Sequence, residues 1–235
     1  MQRWIFRNLI IVVVMLGGLF ACFVAGKEIK RKWIVYNTLH SRHWRERVAE
    51  IQAITPGRYK TIFLGNSLTE LFWLNQYFTD TTLLNCGIVG DFSVGLLQRA
   101  DEIIRLKPER LFIEIGINDM VEQIPLSEIT ANYRKLIRRV KEESPQTKIF
   151  VQSNLPVIIY RPGFLASDVT VNEWVREQNQ NLRKLAIDEG VTFIDLYGAF
   201  LRSGRLSDLL VEDGIHLTPK AYTVWRITVQ PYLEQ

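Results

Sequence analysis

The chain carries a serine, a histidine and an aspartate at positions where they can carry out nucleophilic acyl transfer. Ser67 comes directly after an apolar run at residues 61–65, and His216 stands three residues after Asp213. A serine hydroxyl becomes a nucleophile when a neutral imidazole removes its proton, and a carboxylate holds that imidazole in the required orientation. These three residues are therefore the first candidates for a hydrolytic site.

Ser67 lies at the junction of a predicted strand, 61–65, and a predicted helix, 68–78. At such a junction the helix dipole and the free backbone N–H groups favour a negative charge that develops on a substrate oxygen. A serine at this position can equally be a helix cap. The position of Ser67 alone leaves both interpretations open.

His216 lies in a loop just before a helix. Thr218 and Pro219 mark the start of this helix as its cap and first helical residue. The three-residue offset lets Asp213 fold back and accept a hydrogen bond from the imidazole of His216. The only other histidines, His40 and His43, lie in a basic segment, where we expect them to be exposed to solvent.

Gly87 and Asn118 each follow an apolar run and each have two interpretations. Gly87 is either required for a positive backbone dihedral or allows a backbone N–H to approach a substrate oxygen closely. Asn118 is either a turn residue that bonds its own backbone or a donor to an oxyanion through its amide. Asp119 can simply cap the segment that follows.

Five short apolar runs alternate with amphipathic helical segments after the breaker Pro56–Gly57. Continuous apolar strands separated by helices indicate a parallel sheet that is covered on both faces, in a doubly wound α/β domain. Ligands of such sheets bind beyond the carboxyl ends of the strands. The predicted strands are 61–65, 83–88, 111–117, 149–152 and 191–196, and the helices between them lie near 68–78, 94–106, 126–143 and 171–189, with a last helix from Pro219.

The polar residues that follow these strands resemble the conserved blocks of the SGNH/GDSL hydrolase family. The resemblance covers about residues 59–233, and the loop after the second strand is similar to the acetylhydrolase branch. It implies a flavodoxin-like three-layer sandwich with a five-stranded parallel sheet and no organic or metal cofactor. Many members have Asp where this chain has Asn66, a position outside the triad. The blocks are Gly65-Asn66-Ser67, Gly87, Gly116-Ile117-Asn118-Asp119 and Asp213-Gly214-Ile215-His216.

The resemblance also implies a role for each site residue. Ser67 is the expected nucleophile, His216 the general base and then acid, and Asp213 the orienting carboxylate. The expected oxyanion hole consists of the backbone N–H groups of Ser67 and Gly87 and the side-chain amide of Asn118. The chain is then a serine esterase that hydrolyses carboxylic esters through an acyl-enzyme.

The sequence says less about the substrate than about the type of reaction. A short acyl group, such as an acetyl ester on a carbohydrate, is the first expectation. A lysophospholipase, a thioesterase and an O-acyltransferase with the same site are alternatives, and a membrane-tethered binding module is the non-enzymatic one. The candidates to line a pocket for an apolar group or a sugar are Phe72, Trp73, Tyr160 and Phe164. The last two lie in the irregular stretch 158–170.

The N-terminal part divides into a predicted membrane anchor at 1–26 and an amphipathic stalk helix at 27–56, ahead of the hydrolase domain at 57–235. Residues 9–26 are uncharged, and as a helix they span ~27 Å, close to the thickness of a bilayer core. A cleaved signal peptide and lipidation at Cys22 are weaker alternatives. The basic leader with Arg3 and Arg7 favours a single-pass anchor with the domain outside the cytoplasm, although the positive-inside rule favours the opposite side.

Charge and cysteine content exclude several other classes of protein. The net charge is +4, but acidic residues outnumber basic ones 22 to 20 from residue 51 onward. A basic face for nucleic acid is therefore absent from the sequence of the domain. With only Cys22 and Cys86, a disulfide framework or a Cys/His metal cluster is not expected.

Overall fold

The computed structural model describes residues 24–158, 168–211 and 213–234. The chain divides into two compact units, Met1–Thr38 and Leu39–Gln235. The predicted anchor at 1–26 lies almost entirely outside the described residues. In the part of the chain that the structure describes, no helix is both long and apolar enough to cross a bilayer.

The predicted stalk consists of two helices. Helix α1 covers residues 24–39, and α2 covers Arg42–Gln52. The second helix begins at Ser41, whose side chain accepts a hydrogen bond from the Trp44 N–H, as N-capping serines do. Helix α2 belongs to the same compact unit as the sheet.

The core of the second unit is a sheet of five parallel strands in an α/β fold, as predicted. The strand order is β2-β1-β3-β4-β5, which is the order of flavodoxin-like doubly wound sheets. All five strands coincide with the apolar runs of the sequence. Their bounds are β1 Thr61–Gly65, β2 Leu83–Gly87, β3 Arg110–Glu114, β4 Lys148–Gln152 and β5 Thr192–Ile194.

The central strands are buried on both faces, which explains why they are apolar throughout. Every residue of β1 is buried, and because successive side chains point to opposite faces, both faces of the sheet are covered. On one face Phe63, Phe112 and Phe150 occupy paired positions of β1, β3 and β4. Their rings stack with centroid distances of 4.8 and 4.6 Å, so this row links three neighbouring strands.

Two of the predicted helices are divided into shorter helices in the structure. The predicted helix at 68–78 is two short helices, and the one at 94–106 is interrupted at Arg99. Strand β3 ends at Glu114 rather than at residue 117, because Gly116 adopts a φ of 138° and a new helix starts at Ile117. The helices are α3 Ser67–Glu70, α4 Leu74–Tyr77, α5 Ser93–Gln98, α6 Ala100–Ile104, α7 Ile117–Val121, α8 Leu126–Glu143, α9 Asp168–Asp188, α10 Leu196–Arg202 and α11 Pro219–Leu233.

Candidate active site

Ser67 is the first residue of α3, directly beyond the carboxyl end of β1. The fully buried Asn66 caps this helix, because its side-chain oxygen accepts the Leu68 N–H at 2.9 Å. The cap itself is therefore Asn66, which leaves the hydroxyl of Ser67 free for another partner. Ser67 is 5% exposed, and its backbone N–H belongs to the first turn of a helix.

A continuous hydrogen-bonded chain joins Ser67, His216 and Asp213. The Nε2 atom of His216 lies 2.9 Å from Ser67 Oγ, and its Nδ1 atom lies 2.6 Å from Asp213 Oδ2. When Nδ1 carries the proton and donates to the carboxylate, Nε2 is free to accept the serine proton. The structure thus brings together the three residues that the sequence predicted as a triad.

The loop that carries Asp213 and His216 is held rigidly by its own backbone. Asp213 Oδ1 accepts the N–H groups of Ile215 and His216, both at 2.9 Å. Gly214 has a φ of 72°, and a Cβ there would lie 1.3 Å from the carbonyl oxygen of Ile158. Only glycine therefore fits between the two residues that present the carboxylate and the imidazole.

Asp213 is ionised at neutral pH. Burial acts to raise the pKa of this carboxyl, but the hydrogen bonds from the His216 side chain and from the N–H groups of His216 and Ile215 outweigh it. The net result is a pKa below the ordinary value. A carboxylate in this state fixes the imidazole and stabilises the positive charge that the imidazole acquires when it takes a proton.

Asn118 is the second residue of α7, just beyond the end of β3. Its Nδ2 atom donates to the backbone oxygen of Asp91 at 2.9 Å. An amide nitrogen has two hydrogens, so this bond orients the side chain and leaves a second hydrogen to donate elsewhere. Asp119, by contrast, is fully buried and accepts the N–H and hydroxyl of Ser93, which ties α7 to the start of α5.

A buried ion pair that the sequence did not predict supports the loop after β2. Arg99 Nε lies 2.9 Å from Asp91 Oδ2, and the two side chains are 1% and 0% exposed. The same guanidinium donates to the backbone oxygens of Cys86 and Gly65 at 2.7 and 3.0 Å. Arg99 therefore links the ends of β1 and β2 to the residue that orients Asn118. Asp91 lies in the loop that resembles the acetylhydrolase branch. Nothing in the sequence indicated that Arg99, eight residues later, would be its partner.

Gly87 has a packing role, and its N–H, which was predicted to bind the oxyanion, already has an acceptor. Its N–H donates to Asn85 Oδ1 at 2.9 Å, and a Cβ at this position would lie 2.1 Å from the Glu70 nitrogen. Helix α3 can thus approach β2 only because residue 87 is glycine. Further along the loop, Gly90 has a φ of 78°, and among the described residues its N–H has no acceptor.

Other predicted residues lie away from this centre. Phe72 is fully buried and stacks on Tyr222 at 5.1 Å, as a core residue, whereas Trp73 is 57% exposed. Tyr160 and Phe164 lie outside the described residues. His43 pairs with Glu70 at 3.1 Å, and within the described ranges no group of three His, Cys, Asp or Glu residues is placed to hold a metal ion.

Comparison with known proteins identifies the family. Residues 54–224 match the model of the GDSL-like lipase/acylhydrolase family. A curated relative, an N-acylneuraminate cytidylyltransferase of Streptococcus agalactiae, is 22% identical over 178 residues, which is 74% of this chain and 38% of the relative. The chain thus spans little more than a third of that relative's length.

Two solved structures share the fold. One, from Streptococcus pneumonia, bears a name that associates it with platelet activating factor; it has a TM-score of 0.72 and 24% identity, over 89% of this chain and 99% of its own. The other is an acetylxylan esterase of Geobacillus stearothermophilus, with a TM-score of 0.61 and 16% identity, over 77% and 96%. At these identities the likeness concerns the fold. The match to the family model, over residues 54–224, shows that the chain belongs to the GDSL-like lipase/acylhydrolase family, the SGNH hydrolases.

Proposed function

We propose that this protein is a serine esterase that removes short acyl groups, above all acetyl groups, from carbohydrates. The observation that supports the proposal best is the chain of hydrogen bonds from Ser67 Oγ through His216 to Asp213, at 2.9 and 2.6 Å. These distances are within the range of a nucleophile, its base and an orienting group.

The proposed reaction has two acyl-transfer steps. Ser67 Oγ attacks the ester carbonyl while His216 Nε2 takes the serine proton, which gives a tetrahedral intermediate. As that intermediate collapses, the bond to the alcohol oxygen breaks and His216 returns the proton to the leaving alcohol. Water then attacks the acyl-enzyme, again giving its proton to His216, and the carboxylic acid leaves as Ser67 regains its hydroxyl proton.

The oxyanion of each intermediate is proposed to bind at the carboxyl ends of β1, β2 and β3. The donors are the Ser67 N–H at the start of α3 and the free amide hydrogen of Asn118. Gly87 can contribute only if its N–H shares or leaves the Asn85 oxygen that it now contacts. Gly90 is a second candidate for the donor from this loop, because its N–H has no acceptor among the described residues.

The preference for an acetylated carbohydrate rests on two supports. The loop Gly87–Asp91 is similar to the acetylhydrolase branch of the family, and an acetylxylan esterase shares the fold. We also propose that residues 1–26 anchor the protein in a membrane with the domain outside the cytoplasm. Labelling of a cysteine placed at Gln146 by a membrane-impermeant thiol reagent in intact cells tests that location, and protection of the cysteine contradicts it.

The test of the esterase is the hydrolysis of p-nitrophenyl acetate, butyrate and octanoate by the full-length protein and its Ser67→Ala variant. We expect release that depends on Ser67 and is fastest for acetate. A preference for octanoate would favour a lipid hydrolase instead. No release by the folded protein, with transfer of acetyl to an added alcohol, would favour an acyltransferase.

A further inference from the structure

A cavity of about 460 Å³ lies between residues 123–127, which connect α7 to α8, and the side chains of Trp174 and Glu177 on α9. This volume is within the usual range of ligand sites. Because the helices of a parallel α/β fold start where the strands end, the connection from α7 to α8 lies at the same edge of the sheet as Ser67. The cavity is therefore on the catalytic side of the domain.

The cavity is also close to the proposed oxyanion site along the chain. Asn118 is in α7, and Gln123 follows five residues later, just after the end of that helix. The cavity therefore lies on the connection that follows the proposed oxyanion donor, at the edge of the sheet that carries Ser67. A methyl or nitrophenyl ester has no sugar part to place there.

The lining of the cavity combines an aromatic platform with polar groups. Trp174 is half-buried and Glu177 is exposed. Among the described residues neither the indole N–H nor the Glu177 carboxylate has a partner. An aromatic face packs against the C–H face of a sugar ring, and a carboxylate accepts hydrogen bonds from sugar hydroxyls. The same carboxylate repels a phosphate group.

The same loop contains a residue in an unusual backbone conformation. Gln123 has a φ of 57°, a conformation that suits glycine or asparagine at the end of a helix and is costly for other residues. Its N–H donates to the Met120 oxygen at 2.9 Å, so it closes α7 as a C-terminal cap. A glycine would suit this backbone better than Gln123, which is one of the residues that line the cavity.

We infer that the cavity between residues 123–127 and Trp174 is a subsite for the sugar part of the substrate, and that it selects uncharged oligosaccharide esters over phosphate-bearing lipid esters. The inference rests on the esterase function proposed above and extends it to the alcohol half of the substrate.

The test compares two substrates in the full-length protein: acetylated xylo-oligosaccharides and p-nitrophenyl acetate. The measured quantity is the ratio of kcat/KM for the oligosaccharide to kcat/KM for the small ester. We expect Trp174→Ala to lower this ratio on the order of tenfold, mainly through the KM of the oligosaccharide, since it removes the apolar platform. Trp174→Phe retains a ring and should restore most of the ratio.

Ile187→Ala provides a matched control, because Ile187 lies on the same helix, is 76% exposed and does not line the cavity. An unchanged ratio in Trp174→Ala, or an equal fall in Ile187→Ala, overturns the subsite. Faster cleavage of lysophosphatidylglycerol than of the acetylated oligosaccharide by the wild type also overturns it.

Failure of the subsite and failure of the esterase give different results. If p-nitrophenyl acetate is cleaved through Ser67 but the ratio does not respond to Trp174, only the subsite is wrong. If no ester is cleaved, calorimetric titration of the Ser67→Ala protein with xylo-oligosaccharide still tests the cavity. Binding that is weakened by Trp174→Ala supports the subsite, and no binding overturns it.

Discussion

The indole N–H of Trp44 donates a hydrogen bond of 3.2 Å to Asp91 Oδ1. Trp44 lies in α2, ahead of the segment that matches the family, whereas the backbone oxygen of Asp91 orients the Asn118 amide. Arg47, one turn further along α2, donates to the Gly87 oxygen at 3.3 Å. Helix α2 therefore stabilises the end of β2 and the loop after it through these two side chains.

Trp44→Phe should lower kcat severalfold and leave KM nearly unchanged, because Asp91 loses one of the donors that hold the loop. We also expect the free energy of unfolding to fall by about 1.5–3 kcal/mol, as for other hydrogen bonds to a charged acceptor. Steady-state kinetics and urea unfolding measure the two effects. Trp73→Phe, at an exposed tryptophan, is the control. If it lowers kcat as much as Trp44→Phe does, the effect of Trp44→Phe does not come from the lost contact with Asp91.

Asn118→Ala should lower kcat on the order of 10²–10³-fold, because one donor to the oxyanion is lost. Asn118→Asp is the sharper variant, since a carboxylate of nearly the same shape has no N–H and adds a negative charge. We expect it to be at least as slow as Asn118→Ala. A kcat close to that of the wild type in either variant would remove this side chain from the oxyanion hole.

Asp213→Asn should lower kcat on the order of 10⁴-fold, because an amide no longer fixes the imidazole tautomer that accepts the serine proton. Its effect on stability depends on pH. The pKa of Asp213 is lowered by its hydrogen bonds, so the carboxylate stabilises the fold above the ordinary Asp pKa, and that contribution is lost as pH falls through the lowered value.

Urea unfolding at pH 7 and pH 3 therefore compares the wild type with Asp213→Asn. The difference in unfolding free energy should be larger at pH 7 and shrink in acid. A difference that is the same at both pH values contradicts the lowered pKa.

Glu114→Gln should stabilise the protein increasingly as pH rises from 5 to about 7. Burial raises the pKa of Glu114 to about 7, in spite of the hydrogen bond from Asn154 Nδ2. Between the ordinary Glu pKa and this value the unfolded chain has lost the proton while the folded protein keeps it, so wild-type stability falls as pH rises.

The measurement is the difference in unfolding free energy between Glu114→Gln and the wild type from pH 5 to pH 8. Asp119, whose pKa is also raised to about 7 by burial, is present in both proteins, so its contribution cancels. The difference should grow up to about pH 7 and then level off; a flat profile would show that Glu114 does not titrate as expected.

Local patterns in the sequence were sufficient for the strands and for part of the site. Strand β1 and helix α8 have the predicted bounds, Thr61–Gly65 and Leu126–Glu143, because continuous apolar runs and helical periodicity are properties of a few neighbouring residues. The contact between Asp213 and His216 was predictable for the same reason, since three residues separate them. The division of the predicted single stalk helix was not predictable in this way, because it depends on the Ser41 cap and on the packing of α2 against the domain.

The remaining relationships depend on the tertiary structure. Ser67 and His216 are 149 residues apart, and resemblance to a family suggested their pairing. The 2.9 Å distance depends on how α11 and its preceding loop pack against the start of α3, where the Tyr222 hydroxyl donates to the Leu68 oxygen. The ion pair of Asp91 with Arg99 and the close approach of α3 to Gly87 likewise had no signal in spacing or periodicity. Such pairings form where separate elements meet, and the sequence by itself determined the elements and the residue types at their ends but not which of those ends would touch.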